Sequence, residues 1–130
     1  MKKATRLVIA DDRLRTRHGL RAVLATVPGV EVIGEASSGK EMVELVKTSH
    51  PDVVLIDRCT QINGDMEATR QIRDLWPEVK VIVISLYASK QEEAFASEAG
   101  VCLVKGGSVE DLLKAVSGPD SFKRPKGGPF

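Results

Sequence analysis

Asp11 and Asp12, Asp57, Ser85 and Lys105 each stand where a short apolar run stops. The runs are Leu7-Val8-Ile9-Ala10, Val53-Val54-Leu55-Ile56, Val79 to Ile84 and Val101 to Val104. Short continuous runs of this kind suit strands buried on both faces. In an open parallel sheet the carboxyl ends of the strands gather along one edge, and ligands bind there. The sequence therefore delivers three carboxylates, a hydroxyl and an ammonium to one place. Three carboxylates repel one another unless a hard cation lies between them, and Mg²⁺ takes oxygen ligands. A carboxylate beside Mg²⁺, with a lysine and a hydroxyl at hand, is equipped to accept a phosphoryl group.

The elements that must position these groups alternate along the chain. Apolar runs and amphipathic stretches follow one another five times, which is the pattern of a parallel sheet covered by helices on both faces. Leu20, Val23, Leu24 and Val27 fall at helical spacing, and Pro28-Gly29 ends that helix. Val30 to Ile33 reads as the second strand. Ser38 and Glu41 form a capping box before the stripe Met42, Leu45, Val46, which Pro51 closes. Asn63-Gly64 signals a turn, followed by a helix bearing Ala68, Ile72 and Leu75, with Trp76 covering its end. Ser89 and Glu92 start a further helix that ends at Gly100. Ser108 starts the last, with Val109, Leu112, Leu113 and Val116 on one face.

Composition sets the bounds. A chain of 130 residues, 42% hydrophobic and 28% charged, is one domain with one core. A net charge of +1 provides no strong field for nucleic acid or membrane. No apolar run approaches the ~18 residues of a spanning helix. Cys59 and Cys102 are isolated and lack a metal-like spacing, which suits a reduced, cytoplasmic chain. From Gly118 onward three Pro, three Gly and three basic residues follow without periodicity, the composition of a linker or disordered tail over 118–130.

The constellation resembles the receiver domain of bacterial two-component response regulators. The stretches that carry the resemblance are Ile9-Ala10-Asp11-Asp12, Val54-Leu55-Ile56-Asp57, Val83-Ile84-Ser85 and Leu103-Val104-Lys105. It covers roughly residues 5–117, and the order and spacing of the motifs are more specific than any one of them. Gly34-Glu35-Ala36 and Glu67-Ala68-Thr69 look like the subclass that carries a LuxR-type helix-turn-helix. The resemblance implies a flavodoxin-like, doubly wound five-stranded parallel sheet of order 2-1-3-4-5 with five helices, over residues 1–117. It implies that Asp57 accepts a phosphoryl group from a sensor histidine kinase or phosphotransfer protein. Asp12 would touch Mg²⁺ directly, Asp11 would hold it through water, and Asp57 and the backbone carbonyl of Cys59 would complete the protein ligands. Lys105 and Ser85 would hold the phosphoryl group. Such a protein is no enzyme beyond its own phosphorylation and dephosphorylation. Its output would pass through the surface around the helix after Ser89 and the fifth strand, or through a homodimer, to a DNA-binding domain not contained in these residues.

The chain also departs from the family pattern. Gln61 stands where a Pro is usual, Leu86 where the residue after the hydroxyl is usually small, and Cys102 where the family has its switch aromatic. Gly106-Gly107 replaces the common Pro after the lysine, loosening that loop. Leu86 is expected to narrow access to Asp57 and slow phosphotransfer, and Tyr87 is a partial substitute for the aromatic. A receiver-like binding module that works without phosphate is therefore an alternative. An enzyme-class alternative comes from Gly34-Glu35-Ala36-Ser37-Ser38-Gly39-Lys40, which fits the G-x-x-x-x-G-K phosphate loop of nucleotide hydrolases. The next residue is Glu41 instead of Ser or Thr, so the metal-binding hydroxyl is missing and an anion takes its place. The favoured reading is a glycine-containing turn with a capping box. Arg13, Arg15, Arg17, His18 and Arg21 read as a solvated helix face, with docking of an acidic kinase as the functional option.

Overall fold

A computed structural model describes residues 4–57, 63–85, 100–104 and 109–117. Its strands are β1 (Thr5–Ala10), β2 (Val30–Ala36), β3 (Val53–Asp57), β4 (Lys80–Ser85) and β5 (Gly100–Val104). Its helices are α1 (Leu14–Ala25), α2 (Gly39–Ser49), α3 (Asp65–Leu75) and α4 (Val109–Ser117). All strand pairs are parallel, and the order across the sheet is β2-β1-β3-β4-β5. The helix expected between Ser89 and Gly100 lies outside the described residues.

The period of two along each strand divides the core into two layers. Val8, Ala10, Val54, Ile56, Val81 and Val83 face Met42 and Val46 of α2 and Ala68 and Ile72 of α3. Leu7, Ile9, Val53, Leu55, Ile82 and Ile84 face Leu24 of α1 and Leu112 and Val116 of α4. Every residue of β3 is buried, so this central strand has no solvent face at all.

Several boundaries differ from the sequence expectation. Strand β2 continues past Ile33 to Ala36, because a register shift between Leu7 and Val8 absorbs one residue and keeps the ladder going. Gly34 is tolerated there since the side chain of Leu45 packs where a Cβ would stand, 3.2 Å away. Val27 lies past the end of α1, in the turn that donates from the Val27 N–H to the Leu24 carbonyl. Leu75 is 58% exposed, so the buried stripe of α3 ends at Ile72. Trp76 caps that helix and packs on the core, as its position suggested.

The capping box of α2 is shifted by one residue. The Ser38 hydroxyl accepts from the Glu41 N–H at 3.2 Å, but the Glu41 carboxylate reaches back to the Ser37 N–H and hydroxyl. These two bonds hold the Glu41 carboxyl below the usual carboxylate range. Their stabilisation is present at neutral pH and fades as pH falls through that lowered value.

At the amino edge of the sheet Lys80 is buried, and its Nζ donates to the Ala115 carbonyl at 2.9 Å. A cation there meets the partial negative charge at the end of α4.

Candidate functional site

Asp57 is the last residue of β3 and is 1% exposed. Asp11 directly follows β1 and is fully buried. Ala10 pairs with Ile56, so one further step in the same register sets Asp11 level with Asp57 on the neighbouring strand. Ser85 ends β4, one position past Ile84, the partner of Asp57. Three predicted residues thus end three adjacent strands. Asp12 is exposed, the outermost of the acids. Lys105 follows Val104, which pairs with Ser85, but Lys105 itself, Cys59, Gln61, Leu86 and Tyr87 lie outside the described residues. Cys102 is a β5 position opposite Val83.

Asp11 is held at its N–H, its carbonyl and one carboxylate oxygen. Its N–H donates to the Ala36 carbonyl at 2.9 Å, which extends the β1–β2 ladder one residue beyond the strand. Its Oδ1 accepts from the Arg13 N–H at 2.8 Å, an Asx-type turn that opens α1 in place of a side-chain cap from Arg13. Its carbonyl accepts from Arg17 Nη1 at 2.8 Å. Arg17 Nε also meets Glu35 Oε1 at 3.0 Å, and Arg21 Nη1 meets Glu35 Oε2 at 2.7 Å. Part of the basic helix face is therefore committed to the fold, leaving Arg13, Arg15 and His18 exposed. Sequence reasoning read Arg17 as part of a solvated helix face and did not pair it with Glu35. A signal existed: Arg17 and Arg21 stand four residues apart on one side of α1, and an acid, Glu35, stands near the end of the next strand.

The phosphate-loop alternative fails on geometry. Gly34 to Ala36 belong to β2, leaving no loop of the required length before α2. The Gly39 N–H, which would have to face a phosphate, donates to the Asn63 carbonyl at 2.8 Å. The turn at Asn63-Gly64 fills the space over the helix start, where a Cβ on Gly39 would lie 2.2 Å from the Gly64 carbonyl oxygen. Lys40→Ala is expected to leave ATP binding undetectable, as in the wild type. Saturable micromolar binding that depends on Lys40, measured by calorimetry, would restore the hydrolase.

Among the described residues no three acidic, His or Cys side chains stand close enough to hold a metal ion by themselves. The donor set still suits Mg²⁺, which commonly takes one or two carboxylates and keeps several waters. Asp11, with Oδ1 turned toward α1, and Asp57 offer hard oxygens at adjacent strand ends.

An open parallel sheet with buried acids crowding its carboxyl edge, and a blocked helix start in place of a phosphate loop, defines a small α/β domain built around a carboxylate centre. The chain belongs to the response regulator receiver domain family, whose model matches residues 7–117. It is 32% identical over 120 residues to response regulator UvrY of Escherichia coli strain K12, covering 91% of this chain and 55% of that protein. It is 34% identical over 113 residues to the transcriptional regulatory protein DegU of Brevibacillus brevis, covering 85% of this chain and 48% of that protein. The chain thus spans about half the length of the curated relatives it matches. Among solved structures, the signal receiver domain of NarL from Mycobacterium tuberculosis is similar at 26% identity and a TM-score of 0.75, covering 91% of this chain and 100% of that one. A LuxR-family two-component response regulator from Aurantimonas sp. SI85-9A1 matches with the same score, covering 86% of this chain and 81% of that one. The protein is thus a signalling protein of the two-component type, and response regulators take their phosphoryl group from histidine kinases.

Proposed function

We propose that this chain is a phosphoacceptor relay in which Asp57 receives a phosphoryl group from the phosphohistidine of a sensor kinase or phosphotransfer protein. The observation that carries this reading is the burial of Asp57 and Asp11 at adjacent strand ends of a receiver sheet. A carboxylate oxygen of Asp57 attacks phosphorus while the bond to the donor nitrogen breaks, leaving an acyl phosphate. Asp11, Asp12, Asp57 and the Cys59 carbonyl would hold Mg²⁺, which when bound offsets the negative charge of the incoming group. Lys105 supplies a point charge to the phosphoryl oxygens, and the Ser85 hydroxyl donates to one of them once the group is in place. That last contact exists in only one of the two states, so it biases the loop after β4.

The finer architecture belongs to the same reading: five strands and five helices over residues 1–117, with 118–130 as a linker. Five parallel strands in a doubly wound order support it. Output to transcription, through a DNA-binding domain or a homodimer, is supported by the regulators among its relatives. A cytoplasmic location fits a partner of this kind, and no helix among the described residues is long and apolar enough to cross a membrane.

The direct test is Mg²⁺-dependent labelling by acetyl phosphate, giving one acid-stable, base-labile adduct. Mg²⁺ should also raise the melting temperature, with about 1.4 kcal/mol of added stability at tenfold excess over its Kd. Asp12→Ala should abolish that gain. A wild-type melting temperature indifferent to millimolar Mg²⁺ would count against the metal site. Absence of labelling alongside intact partner docking would establish the phosphate-independent binding module instead.

A further inference from the structure

The acids at the sheet edge do not position themselves. Asp11 lies in the short link between the end of β1 at Ala10 and the start of α1 at Leu14, and its two peptide groups are held by different elements. The N–H is tied to β2 through the Ala36 carbonyl. The carbonyl, which belongs to the peptide joining Asp11 to Asp12, accepts from Arg17 Nη1 at 2.8 Å. Arg17 is aimed by a second contact of the same guanidinium, its Nε on Glu35 Oε1. Glu35 in turn is braced by Arg21 on its other oxygen. The side chains of Arg17 and Glu35 are largely buried, at 17% and 24% exposure, whereas Arg21 is 48% exposed.

We propose that Arg17, aimed by Glu35, is a positioning residue for the phosphorylation site: it fixes the Asp11–Asp12 peptide and so sets where both carboxylates present their oxygens to Mg²⁺. This inference rests on the assignment of Mg²⁺ to Asp11, Asp12 and Asp57. Arginine suits the task because its planar fork holds a carbonyl on Nη1 and a carboxylate on Nε in one fixed geometry, whereas a lysine ammonium is a flexible point charge without that fork. Loss of a group that orients ligands commonly weakens metal binding about 10- to 100-fold. The charge of Arg17 works in the opposite direction. Removing a cation beside a cation site should tighten Mg²⁺ binding, so positioning and simple electrostatics predict opposite signs.

The experiment titrates Mg²⁺ against the full chain and its variants, following melting temperature and, separately, the rate of labelling by acetyl phosphate. Arg17→Ala is expected to raise the Mg²⁺ concentration for half-effect about tenfold in both readouts, with the labelling rate at saturating Mg²⁺ within about twofold of wild type. Arg17→Lys should recover only part of the loss. Glu35→Ala should shift the half-effect in the same direction, and the double variant should be no worse than Arg17→Ala, because Glu35 acts through Arg17. A merely structural Arg17 would lower stability in EDTA and leave the half-effect unchanged; that result, or tighter binding, overturns the inference. Should Arg17→Ala fail to fold, Arg17→Gln is titrated and judged by the same criterion. A wild-type protein that shows no Mg²⁺ response overturns the metal assignment itself, and is recognised before any variant is made.

Discussion

Asp57→Asn will take up no label from acetyl phosphate or a cognate phosphohistidine while folding as well as the wild type. An amide is no nucleophile, so labelling should fall at least ~1000-fold, about 4 kcal/mol of barrier. The fold should survive because Asn is isosteric with Asp and β3 is secured by Val53 to Ile56, all buried between two helical layers. Two carboxylates at adjacent strand ends repel each other, so removing one charge should leave stability in EDTA equal to or above that of the wild type. The measurements are adduct formation by intact mass and unfolding in urea. Label persisting at the wild-type level would show that another residue accepts the group. Label lost together with the fold would make Asp57 a structural acid.

Gly39→Ala should destabilise the protein by about 3 kcal/mol, and by helix propensity alone the sign would be the reverse. Alanine is about 1 kcal/mol better than glycine within a helix, and Gly39 is the first residue of α2. The local sequence thus recommends the substitution. The added methyl, however, would lie 2.2 Å from the Gly64 carbonyl oxygen and 3.1 Å from the Ala68 Cβ. The nearest obstacle is backbone, held in a left-handed conformation at φ 76° as the cap of α3, so it has little room to retreat. Overpacking of this kind costs 1–3 kcal/mol or more. It should also break the bond from the Gly39 N–H to Asn63. Thermal unfolding should show a drop of roughly 10 °C for a domain of this size. A variant as stable as wild type would mean that the α2 and α3 starts are not in contact in solution.

The strands that carry the acids were legible because each is a short apolar run cut off by a charge, and a charge directly after a buried run has few places to go. Asp11 and Asp57 came from that logic, and both proved buried at neighbouring strand ends. The far part of β2 was not legible. Gly34 and Glu35 interrupt the apolar pattern, and Glu35 is accommodated by Arg17 and Arg21, residues 18 and 14 positions earlier. Local periodicity holds no information on pairings of that kind. Gly39 fitted a phosphate-loop spacing, yet it is small because the turn at Gly64 lies against it, a contact between separate helices. Leu75 continued an apolar stripe in sequence, but it points to solvent at 58% exposure while Trp76 takes the core contact at that end of α3. The shared failing is that spacing along the chain names the residue type a position tolerates without naming the neighbour that demands it.

The bond from Lys80 to the Ala115 carbonyl works as a mooring. It makes fast the outgoing end of α4 at the amino edge of the sheet, one strand length from the acids. At about 3.3 Å per residue that is a separation of roughly 17–20 Å. Whatever follows Ser117 therefore starts from a berth fixed to the first residue of β4, whose last residue is Ser85. One strand thus spans the two places, with Ser85 at its carboxyl end level with the acids and Lys80 at its amino end under α4.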